Sequence, residues 1–270
     1  MIVKEVLDKT ISFFKQKNIE TPRLDAELIM AHGLDIDRMQ VYLRYDQPLK
    51  EDELAHLREL VKRRSQGEPI AYITGKKDFY KSTFIVNSSV LIPRPETETL
   101  VEIAVEKLEQ KFNEIKNNSE SVDKIDFNIL ELGAGTGCIS ISLAKEFPDF
   151  HFFAVEKSAE TFKTLLSNQE LNPCENLKLI EMDAELEERV ITESSEGFDL
   201  IISNPPYIDR QDLEISPEVK KYEPEEALFA DNKGLYFIQS WIQKYQKFLN
   251  PNGIFLFEIG YQQGSELENY

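Results

Sequence analysis

Cysteine and histidine are scarce in this chain of 270 residues. The cysteines are Cys138 and Cys174, and the histidines His32, His56 and His151 lie in unrelated segments. A disulfide framework or a structural zinc site needs ligands clustered at short spacing, and the sequence contains no such cluster. We therefore expect no metal site and no disulfide-stabilised fold.

Long apolar runs and an excess of basic residues are also missing. No segment approaches the roughly 20 apolar residues that span a bilayer, and the first residues do not resemble a signal peptide. The 31 Lys and Arg face 49 Asp and Glu, so the net charge is −18, which repels nucleic acid unless a basic patch compensates. The cluster Lys62-Arg63-Arg64 is best interpreted as the solvated last turn of a helix. These features predict a cytoplasmic protein without membrane contact or direct nucleic-acid contact.

Hydrophobic periodicity divides the chain into three parts. Residues 1–68 carry apolar side chains at helical spacing and predict a small helical bundle. The β-prone runs 70–73 and 83–86 predict a connecting hairpin over 69–93. Over 94–270, strand-like runs alternate with helical stretches, which predicts an α/β domain with a doubly wound, mostly parallel sheet. The predicted strands are 127–132, 150–155, 177–181, 198–203 and 253–259.

A glycine-rich loop follows the first strand of this predicted sheet and leads directly into a helix. Its residues are Gly133, Ala134, Gly135, Thr136 and Gly137. Strand, glycine loop and helix form the arrangement in which a backbone approaches a ligand closely. The G-x-G-x-G spacing disfavours a dinucleotide, and the lysine of a phosphate-binding loop is missing. A nucleoside without phosphates is the favoured ligand, and a tight structural turn is the alternative.

Acidic residues stand at the ends of the next two strands. Glu156 closes its strand, where a carboxylate can accept hydrogen bonds from both ribose hydroxyls. Asp183 follows the third strand and can meet an adenine edge. Solvent exposure of Glu156 and a helix N-cap at Asp183 are the structural alternatives. Together with the glycine loop, these residues predict a nucleoside-cofactor cleft.

A rigid turn of Asn204, Pro205, Pro206 and Tyr207 follows the fourth strand. Adjacent prolines stop strand pairing and fix the backbone. The Asn204 side-chain oxygen and the Pro205 carbonyl can each accept one hydrogen of a planar NH₂ group, which aims its lone pair at a methyl donor. The Tyr207 ring can stack on the flat group and exclude water. We interpret this turn as a clamp for the nitrogen that receives a methyl group, with a stiff loop as the alternative.

These motifs resemble the HemK family of release-factor glutamine methyltransferases, within the class I S-adenosylmethionine-dependent methyltransferases. Similar blocks occur in the family's order along nearly the whole chain, at 67–75, 91–98, 131–137, 202–208 and 222–228, followed by Gly234-Leu235. The block 93–98 is far more specific than the turn 204–207, which DNA adenine methyltransferases can share.

The resemblance implies methylation of the side-chain nitrogen (N5) of the glutamine in the Gly-Gly-Gln loop of bacterial class I peptide-chain release factors. S-adenosylmethionine would be the methyl donor and S-adenosylhomocysteine the product. The glycine loop, Glu156, Asp183 and Ala184 would lie on the cofactor side, residues 205–207 on the glutamine side, and Asn204 on both. The N-terminal bundle would dock the partner. The family usually has Asp in place of Glu156, and a bulkier residue can stand at Ala184.

The end of the chain departs from this family pattern. After the predicted strand 253–259 only residues 260–270 follow, too few for the crossover helix and antiparallel pair that complete the fold. We expect those strands to be missing and 253–259 to be an edge strand, although its apolar run is typical of a strand buried on both faces.

Two other functions stay open at this point. A DNA or RNA adenine N6-methyltransferase faces the same planar NH₂ group, but it needs a basic groove that this composition does not suggest. A ribosome- or factor-binding module with a vestigial nucleotide site would use the acidic surface instead. The intact glycine loop, Glu156 and the turn at Asn204 favour the enzyme.

Overall fold

The computed structural model of the protein describes residues 1–118, 127–186, 197–212 and 215–268. The chain forms two compact units, Met1–Lys76 with Pro217–Tyr222, and Lys77–Ser216 with Glu223–Tyr270. The N-terminal unit thus ends inside the segment 69–93 that the sequence predicted as a connector. Each unit has a hydrophobic core of its own.

In chain order, the helices are α1 (Val3–Gln16), α2 (Pro22–Gly33), α3 (Arg38–Leu43), α4 (Glu51–Ser65), α5 (Ile70–Thr74), α6 (Pro95–Asn118), α7 (Cys138–Glu146), α8 (Ala159–Leu171), α9 (Pro217–Tyr222), α10 (Glu225–Leu228), α11 (Tyr236–Tyr245) and α12 (Gly264–Leu267). The strands are β1 (Lys76–Phe79), β2 (Ser82–Ile85), β3 (Asn128–Leu132), β4 (His151–Glu156), β5 (Leu177–Glu181), β6 (Phe198–Ser203), β7 (Ile208–Asp209), β8 (Phe229–Ala230) and β9 (Leu249–Phe257).

The first five helices build the core of the N-terminal unit from their apolar faces. Val3, Leu7 and Phe14 of α1 are buried in one hydrophobic cluster with Ile29 of α2 and Leu57 of α4. The three α1 residues are separated by four and seven positions, which places them on one face of a helix. The predicted helical character of this region is therefore confirmed.

The predicted first strand of the connecting hairpin is wrong, because residues 70–73 lie in helix α5. The helix begins after Pro69 and ends at Gly75, whose φ of +71° is the left-handed conformation that commonly follows a helix. Ala71 and Ile73 are buried. A short apolar run cannot be distinguished from a buried helical turn by periodicity. The two-stranded sheet forms instead from β1 and β2.

The interpretation of Lys62-Arg63-Arg64 as a solvated turn is wrong for Arg64. Its side chain is only 11% exposed, and its Nε lies 2.6 Å from Oδ2 of Asp25, which is 2% exposed. The other Asp25 oxygen accepts a hydrogen bond from the Thr21 hydroxyl at 2.7 Å. Arg64 therefore joins α4 to α2 through a buried ion pair.

The second unit is built on a five-stranded sheet in the order β5-β4-β3-β6-β9, and every pairing in it is parallel. The prediction of a parallel α/β sheet is confirmed, with all five strands at or close to their expected positions. Parallel pairing sends the carboxyl ends of all the strands to one edge of the sheet. The glycine loop, Glu156, Asp183 and Asn204 all follow these ends.

Alternating side chains of the strands enter two different hydrophobic clusters. Ile129 of β3 packs in the cluster that contains α6, α7 and α8, whereas its neighbour Leu130 packs in the cluster that contains α11. Phe152 and Phe153 of β4 divide in the same way. Helices therefore cover both faces of the sheet, as in a doubly wound fold.

The last strand, β9, lies at the edge of the sheet, which confirms the expected edge position. It begins at Leu249 instead of 253, because Leu249 pairs with Phe198 before a register shift, after which Ile254 pairs with Leu200. The shift spans Pro251, whose type is rare inside strands. Among the described residues β9 pairs with β6 alone.

Every helix within the described residues is too short or too polar to cross a bilayer.

Removing one partner of the Asp25–Arg64 pair should destabilise the N-terminal unit. In Asp25→Ala, the buried Arg64 guanidinium loses its closest counter-charge and keeps only the longer contact with the exposed Glu218, at 3.7 Å. We therefore expect a loss of up to about 3–5 kcal/mol, which is what breaking a buried ion pair typically costs. Denaturant unfolding monitored by circular dichroism measures the change. Asp8→Ala, at an exposed position of the same unit, is the control and should change little. A loss in Asp25→Ala no larger than in the control would contradict the assignment.

Candidate active site

A cleft of about 390 Å³ opens at the carboxyl ends of β3, β4, β5 and β6. It lies within the second unit. The predicted site residues that line it are Gly133, Ala134, Gly135, Thr136, Glu156, Asp183, Ala184, Asn204 and Pro206. The predicted residues Gly137, Pro205 and Tyr207 do not line it. The fold thus brings together side chains from four separate strand ends.

The three glycines of the loop all adopt positive φ, at +69° for Gly133, +57° for Gly135 and +77° for Gly137. A Cβ on Gly135 would have no heavy atom within 4 Å, so the space above it belongs to the cleft. A Cβ on Gly137 would lie 2.3 Å from Leu165 of α8. Gly135 therefore keeps room for a ligand, whereas Gly137 allows the helix to pack.

Glu156 connects the glycine loop to the next helix. One carboxylate oxygen accepts the backbone N–H of Gly135 at 3.0 Å, and the other accepts that of Ser158 at 2.9 Å. The residue is only 8% exposed yet lines the cleft, so the solvent-exposed alternative does not describe it. Each carboxylate oxygen can accept a further hydrogen bond. The longer Glu arm is thus fixed in place at the strand end.

Asp183 and Ala184 form a turn at the end of β5. Oδ1 of Asp183 accepts the backbone N–H of Glu185 at 2.8 Å, which is the capping geometry that the structural alternative expected. The Ala184 carbonyl accepts hydrogen bonds from the Tyr245 hydroxyl at 3.0 Å and from Lys244 at 2.8 Å. Asp183 therefore both caps the turn and lines the cleft, so a capping role and a role in ligand binding are compatible.

Asn204 is held at one end of its side chain and has no partner at the other. Its Nδ2 donates to Oγ1 of Thr97 at 3.0 Å. Its Oδ1 is buried and has no hydrogen-bond partner among the described residues. A buried acceptor without a donor typically costs about 1–3 kcal/mol. A ligand that brings an N–H group to this position would recover that free energy.

Tyr207 is fixed at both its hydroxyl and its backbone by the segment after β9. The hydroxyl donates to Oε1 of Glu258 at 3.0 Å, and the carbonyl accepts from Nε2 of Gln263 at 2.8 Å. Burial, reinforced by the neighbouring Glu258 carboxylate, raises the pKa of Tyr207 above its ordinary value. The hydroxyl therefore stays protonated at neutral pH, and the ring is held beside the Asn204 turn.

Sequence reasoning did not identify Thr97, Glu258 or Gln263 as parts of the site. Thr97 is separated from Asn204 by 107 positions, so no local spacing connects them. Glu258 lies near the end of the predicted strand 253–259 and directly follows the observed β9, and its position at the sheet's carboxyl edge was a usable signal. Its backbone N–H donates to the Ser203 carbonyl at 3.0 Å, next to Asn204.

Glu131 adds a buried acid beneath the glycine loop. It is 2% exposed, and its Oε2 accepts the backbone N–H of Ser140 at 3.0 Å. Burial, with a smaller contribution from Glu156, raises the pKa of Glu131 to about 8. Burial also raises the pKa of the Cys138 thiol to about 12. Both groups are therefore neutral at pH 7, and neither Cys138 nor Glu131 adds charge to the cleft.

The Glu131 shift predicts a pH-dependent stability difference between the wild type and Glu131→Gln. The folded protein keeps this proton up to a pKa of about 8, and the unfolded chain releases it near 4.5. Between these values folding binds a proton, so the residue's contribution to the unfolding free energy falls as pH rises, by at most about 1.4 kcal/mol per pH unit. Glutamine does not titrate, so the variant should gain stability relative to the wild type across this window. Denaturant unfolding at several pH values measures the difference in unfolding free energy between the two proteins. A difference that does not change with pH would contradict the raised pKa of Glu131. The Glu114→Gln variant, at an exposed position, is the control.

Two family models match the sequence along its length. The PrmC N-terminal domain matches residues 5–75, and a methyltransferase domain matches residues 123–267, which is more than half of the chain. The boundary at 75 agrees with the end of the N-terminal unit at Lys76.

Curated relatives match over nearly the whole chain. A release factor glutamine methyltransferase of Chlorobaculum tepidum is 36% identical, over 99% of this chain and 88% of that protein. Proteins of the same name from Geobacter sulfurreducens and Koribacter versatilis are 35% and 33% identical, each over 97% of this chain, and over 85% and 87% of their own lengths. The parallel sheet with helices on both faces has the class I methyltransferase fold. The chain therefore belongs to the release factor glutamine methyltransferase family.

Proposed function

We propose that this protein transfers a methyl group from S-adenosylmethionine to the side-chain nitrogen of the glutamine in the Gly-Gly-Gln loop of class I peptide-chain release factors. The observation that carries the proposal is the buried, unpaired Oδ1 of Asn204 in a residue that lines the cleft. A primary amide supplies the N–H donor that this acceptor lacks. The names of the relatives support the release factor as the protein that carries this amide.

The residues around the glycine loop fit an adenosine-containing methyl donor. The open space at Gly135 admits a ligand close to the backbone, and the Glu156 carboxylate, fixed by two backbone N–H groups, keeps lone pairs for ribose hydroxyls. Asp183 stands where an adenine edge would lie. When bound, S-adenosylmethionine supplies an electrophilic methyl group, and S-adenosylhomocysteine remains after transfer.

The turn that follows β6 orients the acceptor amide. Its nitrogen is a poor nucleophile because the lone pair is delocalised into the carbonyl. Asn204 Oδ1 accepts one N–H of the amide, and the Pro205 carbonyl accepts the other, which directs the nitrogen toward the methyl donor. The Tyr207 ring, fixed through Glu258 and Gln263, packs on the flat amide and excludes water. A strong base is unnecessary, because the methylated nitrogen becomes acidic and releases its proton to water.

The partner and location follow from the same proposal. The N-terminal unit would contribute the docking surface for the release factor, and the reaction would take place in the cytoplasm, where translation terminates. A DNA or RNA adenine methyltransferase is the less favoured function, since 49 acidic against 31 basic residues disfavour binding to a nucleic-acid backbone.

Transfer of labelled methyl groups tests the proposed substrate directly. The protein is incubated with labelled S-adenosylmethionine and, separately, with a class I release factor, the same factor carrying Gln→Ala in its Gly-Gly-Gln loop, and duplex DNA. Label on the wild-type factor alone is the expected result. Label on DNA, or equal label on the wild-type and mutated factors, would contradict the proposal.

Asn204→Ala should lose turnover while keeping its fold and its affinity for S-adenosylmethionine. The substitution removes one of the two acceptors that orient the nitrogen, and misorientation alone can lower kcat on the order of 10²-fold. Steady-state methylation of the release factor measures the loss. Asn113→Ala, an exposed asparagine on α6, is the matched control and should match the wild type. Activity of Asn204→Ala within a few-fold of wild type would count against the clamp.

Gly135→Val should lose affinity for S-adenosylmethionine, because its side chain would occupy the space of the ligand. Gly75→Val is the matched control: Gly75 also has positive φ, at +71°, and open space at its Cβ position, but it lies at the end of α5 and not in the cleft. Both variants therefore carry similar backbone strain. Isothermal titration should show weak or absent binding for Gly135→Val only. Equal affinities for S-adenosylmethionine in the two variants would contradict the assignment of the loop to the cofactor site.

A further inference from the structure

Thr97 is a buried hydroxyl residue that faces the acceptor side of the cleft. It is the third residue of α6, is 2% exposed and lines the cleft near Asn204. The hydrogen bond from Asn204 Nδ2 to Thr97 Oγ1, at 3.0 Å, is the contact that holds the Asn204 side chain. Thr97 therefore touches the clamp but not its free oxygen.

The orientation of the Asn204 amide decides whether the clamp can work. An asparagine side chain has an accepting oxygen and a donating NH₂ group, which exchange places when the amide rotates by half a turn. Substrate N–H groups need the oxygen, and the rotated form would offer them a second donor. The bond to Thr97 occupies the NH₂ end and leaves Oδ1 free. A hydroxyl both donates and accepts, so this bond anchors the Asn204 side chain and, in the observed orientation, leaves its oxygen as the unpaired end.

The segment around Thr97 is itself firmly anchored. Three residues earlier, Arg94 forms an ion pair with the buried Glu223 at 2.5 Å, and the second Glu223 oxygen accepts the backbone N–H of Ile92 at 3.1 Å. One residue later, the Glu98 carboxylate accepts the backbone N–H of Tyr80 at 3.1 Å. The start of α6 is thus fixed on both sides of Thr97, which gives its hydroxyl a defined position.

We propose that Thr97 is a positioning residue that anchors the Asn204 side chain, so that its unpaired oxygen has a fixed position for the substrate. It acts through Asn204 and makes no contact with the reacting atoms. The proposal rests on the proposed function, since the amide substrate needs an acceptor in a fixed position. It predicts that Thr97 contributes to turnover and not to binding of the methyl donor.

A double-mutant cycle tests this role, with Thr97→Val, Thr97→Ser, Asn204→Ala and the Thr97→Val/Asn204→Ala double variant. Valine keeps the shape of threonine but cannot accept the hydrogen bond. We expect Thr97→Val to lower kcat on the order of tenfold at unchanged S-adenosylmethionine affinity, and serine to restore it. In the Asn204→Ala background, Thr97→Val should change kcat less than about twofold, because its effect passes through Asn204. A wild-type kcat in Thr97→Val, or losses that multiply in the double variant, would overturn the proposal.

A measurement without substrate separates this proposal from the proposed function. Nuclear magnetic resonance of the ¹⁵N-labelled protein follows solvent exchange of the Asn204 side-chain NH₂, whose signals are assigned by their loss in Asn204→Ala. Exchange should be at least about tenfold faster in Thr97→Val and near wild type in Thr97→Ser. Unchanged exchange in Thr97→Val would overturn the role of Thr97. Failure of the wild type to methylate any glutamine substrate would instead overturn the proposed function, and the exchange data would still decide the Thr97–Asn204 contact.

Discussion

The parallel pairing of five strands is the constraint on which the site depends. Since every strand ends at the same edge, segments far apart in the chain meet there: the loop at Gly135, the carboxylate of Glu156, the turn at Asp183 and the amide of Asn204. Helices on both faces bury the sheet and leave this edge accessible. The cleft is therefore a consequence of topology, and the residues that line it determine the chemistry.

The two sides of the cleft have different structural roles. On the cofactor side, positive φ at Gly135 and the backbone contacts of Glu156 shape a space with fixed acceptors. On the acceptor side, Thr97 holds Asn204 and Glu258 holds Tyr207 through one hydrogen bond each. The neutral form of Glu131 avoids placing a second charge next to Glu156 in a buried region. Among the described residues, the Asn204 oxygen is one of the buried polar atoms that no protein group satisfies.

The sheet and the cofactor side were largely accessible to sequence reasoning because their signals are local. Apolar runs, a glycine loop and acids at strand ends each occupy a few consecutive residues. The two wrong predictions also came from local signals. Residues 70–73 have a strand-like composition, but they form a helix in which Ile73 is buried and which ends at Gly75. Arg64 looked solvated because its partner, Asp25, lies 39 positions away. Thr97 and Glu258 act through contacts that exist only once the sheet has formed.

In the proposed reaction, the side-chain nitrogen of one glutamine is methylated in this cleft. Tandem mass spectrometry of a class I release factor, after incubation with the protein and S-adenosylmethionine, locates the added methyl group within its peptide. We expect a single methyl group on the side-chain nitrogen of the Gly-Gly-Gln glutamine. A methyl group on any other residue, or an unmodified factor under conditions in which S-adenosylmethionine binds, would contradict it.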